Sequence, residues 1–336
     1  MNDTAPAYDL LPGEAAVDER GSVVVVGNFD GVHRGHVAVL ADAVELARER
    51  GLSAYVLTFD PHPSVVVRKI ERPRLMSLAR RSELIAEAGI DRVFVRRFDA
   101  EFAAWPPERF ADELLAKTLR ARVVVVGTNF RFGARRAGDL SLLSEVGAKL
   151  GFESRAHRIV GDEGGPFSSS RARAAVEQGD MPAVTRVLGR PHALDGVVVE
   201  GAKLGRTLGF PTANLGGVEV MLPPDGIYAV RVDRIEGAAP RASGASRGPR
   251  AARETARPIA GGAMSIGVRP TIGDGLSRTV ETYLFDGTYD LYGARLRVHV
   301  IERLRGEEKF DGLDALKAQM AKDEGAARAR LARADA

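Results

Sequence analysis

The chain has 336 residues, 45% of them hydrophobic and 28% charged, with a formal net charge of +3. Those proportions fit a folded protein with room for two cored domains and exclude a disordered tether. No apolar run approaches the roughly 18 residues a membrane-spanning helix needs, and the opening MNDTAPAYDLLPGEAAVDER is too acidic and polar for a secretory signal. The sequence therefore reads as cytoplasmic, without a membrane partner. Zero cysteines remove disulfides, thiolate metal sites and thiol nucleophiles. Chemistry must come from histidines, carboxylates, hydroxyls and backbone amides.

Residues 1–21 carry no periodic pattern and are expected to be flexible. From there to about residue 185, β-branched runs alternate with longer helical patterns: VVVV at 23, AYVLTF at 54, RVFV at 92 and VVVV at 123. This predicts βα units and a doubly wound parallel sheet covered on both faces. Val37, Leu40, Val44 and Ala47 recur at helical spacing after the first run, so a loop there joins a strand end to a helix start. The second half, 186–326, reads instead as a small antiparallel β-barrel, with strands at LDGVVVEG, GIYAVRV, AMSIGV, TVETYLF and LRVHVIERL. The fold class is thus α/β plus β. A helix, LDALKAQMAKDEGAARARLARA, closes the chain, and residues 327–336 are assigned to a C-terminal tail.

Between Arg234 and Pro258 six Arg face two Glu, a surplus of four, which leaves about −1 for the rest of the chain. The basicity belongs to one segment. All seventeen residues of Gly237 to Arg253 are Gly, Ala, Pro, Arg or Ser, too little apolar surface to offset ordering entropy. A disordered insertion at about 237–257 is expected, and without interleaved aromatics it does not read as a nucleic-acid arm.

The stretch VVVVGNFDGVHRGH, Val23 to His36, runs from a strand into a glycine-rich loop with two histidines. His33 and His36 have no matching partners at metal-ligand spacing. Gly27, Gly31 and Gly35 are four apart, unlike the spacing of a dinucleotide fingerprint. What remains is a strand-to-helix turn gathering backbone amides, a helix N-terminus and two imidazoles, an arrangement suited to a triphosphate. A plain loop with satisfied histidines is the alternative. In TFDPHP, prolines on both sides of His62 fix an extended turn that presents Asp60 or His62 at a strand end. GAKLGRTLGFPTANL is not a Walker A loop: Gly201 and Gly205 are one residue too close, and Arg206 stands where Lys belongs. In TVETYLF, alternation puts Glu281 on one face with Tyr283 and Phe285, where partial desolvation would raise its pKa toward that of a useful base.

These segments, with VGTNFRFG, SSSRAR, PPDGIYAV and GVRPTIGDG, resemble in order and spacing the bacterial bifunctional riboflavin kinase/FAD synthetases, from about Ser22 to Asp323. The resemblance implies a Rossmann-like nucleotidyltransferase domain followed by a riboflavin-kinase barrel. It implies ATP-dependent phosphorylation of riboflavin to FMN, then adenylyl transfer from ATP to FMN, giving FAD and pyrophosphate, with Mg²⁺ required. By resemblance, His33 and His36 stabilise phosphate charge. Gly27, Asn28, Phe29, Asp30, Gly31, Gly35, Asn129, Ser168, Ser169, Ser170 and Arg173 bind ATP, while Asp60 and His62 border the flavin. In the barrel, Gly201, Lys203, Gly205, Arg206, Thr212 and Asn214 hold Mg-ATP, with Thr212 on the metal, and Glu281 is the base for the ribityl hydroxyl. The expected partners are small molecules; oligomerisation is left open.

Overall fold

In this computed structural model the residues described are 8–11, 17–71, 73–201, 210, 212–236, 255–270 and 276–334. They form two units: one of residues up to Pro73 with Leu78–Ser168, the other of Arg74–Ser77 and the described residues from Ser169 onward.

The first unit is built on six parallel strands, β1 (Asp9–Leu11), β2 (Ser22–Val26), β3 (Ser53–Asp60), β4 (Arg92–Arg97), β5 (Ala121–Gly127) and β6 (Glu153–His157), in the order β1-β4-β3-β2-β5-β6. All five residues of β2 are buried, as a central strand covered on both faces requires. The helical connections are α1 (Arg34–Arg50), α2 (Pro63–Arg68), α3 (Leu78–Glu87), α4 (Ala100–Ala103), α5 (Pro107–Arg109) running into a π-helical segment Phe110–Thr118, and α6 (Leu140–Leu150). The core gathers Val24, Val26, Leu57, Phe94, Leu115 and Val124. Chain direction across the sheet reverses between β2 and β5, and the crevice at their carboxyl ends is where such sheets bind ligands. A short hairpin of β7 (Gly161–Asp162) and β8 (Gly165–Pro166) follows β6.

The second unit opens with helices α7 (Ser169–Gln178) and α8 (Met181–Leu188). A closed antiparallel barrel follows, of β9 (His192–Val199), β10 (Thr212–Gly216), β11 (Gly226–Glu236), β12 (Thr255–Pro270), β13 (Leu276–Leu284) and β14 (Arg295–Arg305), in the order β10-β13-β12-β11-β14-β9. Closure removes the free edges an open sheet would expose. Leu194, Leu215, Tyr228, Val230, Met264, Ile266, Val280 and Val298 are buried at alternating strand positions. Helix α9 (Leu313–Ala334) lies on the outside, burying Ala327 and Leu331 against Ala229 and Phe285.

The parallel sheet, the barrel and the helix α1 after the first loop stand as the sequence predicts, and two local readings need correction. Residues 9–11 are not a flexible lead-in: they add β1 to the sheet edge, with Leu11 buried and its carbonyl accepting a hydrogen bond from Arg96 Nη1 at 3.1 Å. Residues 327–334 are not a tail, because α9 continues through them on an apolar anchor. The buried stripe of α1 is Val39, Leu40, Ala43 and Ala47, turned away from Val37, which is exposed. Most of the insertion expected at 237–257 lies outside the described residues, and β12 begins at Thr255.

His192 points to a pH effect. It is 1% exposed, its Nε2 donates to the Met221 carbonyl at 2.7 Å, and its Nδ1 has no hydrogen-bond partner among the described residues. Burial holds its pKa below the ordinary 6.5. The unfolded chain then takes up a proton below about pH 6.5 that the folded chain refuses. His192 therefore leaves stability intact above that pH and erodes it below, by at most about 1.4 kcal/mol per pH unit. Thermal midpoints at pH 7.5 and 5.5 should fall further for the wild type than for His192→Gln; equal falls would refute this.

Candidate active sites

In the first unit the turn after β2 is unusually bent: Phe29, Gly31 and Val32 all have positive φ (51°, 86° and 35°). Phe29 and Val32 are nearly fully buried, so packing holds the turn against its backbone strain. The carbonyl of Asn28 accepts from Thr58 Oγ1 at 3.1 Å and from Arg81 Nη1 at 2.8 Å. Arg81, reaching in from α3, also donates to the Phe59 carbonyl at 3.3 Å and lies 3.8 Å from Asp60. One buried guanidinium thus ties the ends of β2 and β3 together.

His33 caps α1, its Nδ1 accepting from the His36 amide at 3.3 Å. In the neutral ring the proton then sits on Nε2, which gives the loop a donor. The His33 and His36 rings stack with centroids 3.6 Å apart, and Phe29 lies 4.9 Å from His36. A Cβ added to Gly35 would stand 3.2 Å from His33 Nδ1 and 3.4 Å from the Phe167 carbonyl. The Arg34 guanidinium lies 4.7 Å over the Phe167 ring. The first turn of α1 therefore lies against the segment that ends in Ser168. Gly27 is equally confined, by the ring of Phe29.

Asn129 is exposed just beyond β5, in a turn closed by Phe130 N–H donating to the Gly127 carbonyl at 3.0 Å. It shares the carboxyl-end crevice of β2 and β5 with the histidine loop. His62 caps α2, with its Nδ1 accepting from the Ser64 amide at 3.1 Å and 2.8 Å from Ser64 Oγ. Its ring is thus occupied locally on one side. Asp30 is buried in the loop, whereas Ser169, Ser170 and Arg173 lie in the first turns of α7 and fold with the second unit.

In the second unit Thr212 and Asn214 point to one side of β10 and pair across to Tyr283 and Glu281 of β13. Glu281 also faces Ser265 of β12. These residues lie on the outer face of the barrel, where all but Asn214 border a cavity of about 320 Å³ lined by Thr212, Glu281, Ser265, Tyr283, Phe310 and Met320 among others. Burial, with Glu324 nearby, pushes the Tyr283 phenol up, so it stays a neutral donor. Phe210 stands edge-on to Tyr283 at 5.1 Å, and Phe285 follows at 5.5 Å. The alignment of Glu281 with two aromatics therefore holds. Gly201 abuts the Asn214 carboxamide so closely that a Cβ would overlap it. Lys203, Gly205 and Arg206 lie outside the described residues.

Two descriptions of known families cover most of the chain: FAD synthetase matches residues 15–171 and riboflavin kinase residues 188–331. The "Bifunctional riboflavin kinase/FMN adenylyltransferase" of Escherichia coli strain K12 is 38% identical over 92% of this chain and 93% of its own. The proteins of the same description from Pseudomonas fluorescens and Bacillus subtilis strain 168 are 37% and 31% identical, covering 94% and 91% of each chain. The chain belongs to this bifunctional riboflavin kinase/FMN adenylyltransferase family. A crystal structure described as a macrolide-efflux protein, from Streptococcus pneumoniae, is also similar, with a TM-score of 0.80 and 27% identity over 96% of this chain and 99% of that one. Among the described residues no helix is long and apolar enough to cross a membrane.

The FAD synthetase match takes in every first-site residue named above except Arg173, and the riboflavin kinase match takes in the whole cavity lining from Thr212 to Asp323. Sequence reasoning missed Arg81, hidden in a charged helical run that reads as solvent-facing. It also missed the far cavity wall: Arg305, Glu307, Phe310, Leu316, Met320 and Asp323. The only signal there was an unusual RGEEKF segment between the last strand and the helix.

Proposed function

We propose that residues 186–326 phosphorylate riboflavin to FMN and that residues 22–185 adenylylate that FMN to FAD, each with ATP. The observation that carries the kinase assignment is the cavity on the barrel wall. Glu281 and Thr212 line it, Asn214 pairs with Glu281 across the strands, and Ile227, Phe310, Leu316 and Met320 make an apolar and aromatic wall fit for a flat ring, which supports this reading. Glu281 accepts the proton of the ribityl 5′-hydroxyl as that oxygen attacks the γ-phosphorus of ATP.

The Thr212 hydroxyl and the Asn214 carboxamide oxygen, two residues apart on one side of β10, are oxygen donors of the kind Mg²⁺ takes and would hold it together with ATP phosphates. When bound with ATP, the ion neutralises phosphate charge. Thr212 and Asn214 orient the phosphates, and the small Gly201 lets main-chain amides reach them.

In the first unit the FMN phosphate attacks the α-phosphorus of ATP and pyrophosphate leaves. No base is needed, so His33, His36 and the amides of the Gly27–Gly35 loop act by holding phosphates and neutralising the charge they develop. Asn28, Phe29, Asp30 and Gly31 shape that loop. Asn129 and the serines 168–170 with Arg173 complete the ATP contacts, and Asp60 and His62 border the flavin.

The deciding assay supplies riboflavin, ATP and Mg²⁺ and resolves FMN and FAD over time. Glu281→Ala is expected to abolish FMN formation while FMN supplied directly is still converted to FAD; loss of both in a folded protein would sink the separate-site assignment. His36→Ala should reverse the pattern, so that FMN accumulates and FAD does not. Gly35→Ala is tolerated by a helix but crowds the His33 ring, and is expected to slow FAD formation about tenfold or more at unchanged thermal midpoint. An unaltered rate would show that the ring position is not critical.

A further inference from the structure

The cavity wall opposite Glu281 contains a carboxylate that the reaction as described does not use. Asp323, on the third turn of α9, is 6% exposed and accepts Arg305 Nε at 2.9 Å, Arg305 Nη2 at 2.7 Å and Gln319 Nε2 at 2.9 Å. Arg305 stands at the end of β14, lines the cavity, donates to the Gly306 carbonyl at 2.9 Å and lies 5.7 Å from the Phe310 ring. The fork between Arg305 and Asp323 thus joins the last barrel strand, the RGEEKF segment and the helix at one point.

Anchoring α9 does not depend on this fork. Further along the helix, Ala327 and Leu331 are buried, Arg328 pairs with Asp286 at 2.7 Å, Arg330 with Glu302 at 3.0 Å, and Arg231 donates to the Leu331 carbonyl at 3.1 Å. What the fork fixes, beside the Gly306 carbonyl and with Glu308 3.8 Å from the guanidinium, is the part that faces the cavity: Arg305 itself, the Phe310 ring near it, and the turns bearing Leu316 and Met320. A bidentate pair holds a guanidinium plane in one orientation, which a single hydrogen bond does not.

We infer that Asp323 is a positioning residue for the kinase reaction, which through Arg305 sets the shape of the wall that receives the riboflavin ring. This rests on the cavity being the riboflavin site. Asp323 touches neither the attacking hydroxyl nor the phosphates, so its loss acts on capture of riboflavin and leaves the chemical step alone.

The test is steady-state riboflavin phosphorylation by the full chain, with FMN adenylylation by the same preparation as a measure of folded enzyme. Asp323→Asn is expected to raise KM for riboflavin about tenfold with kcat within about twofold, KM for ATP unchanged and adenylylation intact. Asp323→Glu, which keeps the fork at a longer reach, should recover most of the loss. Ala263→Leu, which fills the cavity from β12, serves as the control for the site itself. An impaired Ala263→Leu beside an Asp323→Asn with normal riboflavin KM would overturn the positioning role alone. A fall in kcat without change in KM would also overturn it. Unchanged riboflavin KM in Ala263→Leu would remove the cavity assignment and the inference together.

Discussion

The outer face of β12 carries Gly261, Ala263, Ser265 and Gly267 in succession, and the architecture of the barrel site follows from the room these four leave. Leu331 of α9 sits on Gly261 and the Glu307 carboxylate sits on Gly267, each so close that a Cβ would displace it. Between those two contacts the helix and the barrel are held apart over Ala263 and Ser265, and the cavity is the space so enclosed. Larger residues on this strand would close the site or lift the helix. Helix α9 is otherwise polar, so its docking depends on that close approach and on the Arg328–Asp286 and Arg330–Glu302 ion pairs beside its buried stretch.

The first unit meets a comparable constraint by different means. Its ligand crevice arises because chain order reverses between β2 and β5, which leaves strand ends uncovered by the connecting helices. The loop filling that crevice has to turn sharply, start a helix and keep its amides accessible. Three consecutive requirements of this kind explain the positive φ at Phe29, Gly31 and Val32, and why the two non-glycine residues among them are buried: packing stabilises a backbone that sequence alone would not choose. Arg81 contributes by satisfying the Asn28 carbonyl, an acceptor that the bent turn withdraws from any sheet ladder.

Much of this was legible in the sequence because the signals were local and periodic. The valine runs at 23 and 123 report full burial directly, and the alternation in TVETYLF places Glu281 and Tyr283 on one face, as the pairing to Asn214 and Thr212 bears out. The edge strand β1 escaped because three residues give no period to read, and it is held by pairing with β4, 85 residues away. In α1 the spacing of Val37, Leu40, Val44 and Ala47 gave the helix, but not that Val37 is exposed while small Ala43 is buried. Arg81, Arg305 and Asp323 were invisible for a common reason: a charged residue reads as solvent-facing unless its partner is known, and the partners here lie 53, 18 and 4 residues off.

The contrast in residue type between the two sites follows from their nucleophiles. A ribityl hydroxyl is a very weak acid, so its attack on a phosphate calls for a base within reach, the role proposed for the carboxylate of Glu281. The phosphate of FMN, with a second pKa of about 6, is already ionised near neutrality and needs no base. Its difficulty is approach to another polyanion, which calls for donors and positive charge. That is what stacked imidazoles, a helix N-terminus and the amides of a glycine-rich turn provide. On the proposed assignment, the chemistry of each acceptor accounts for the residue types at the end of a strand in one unit and on the wall of a barrel in the other.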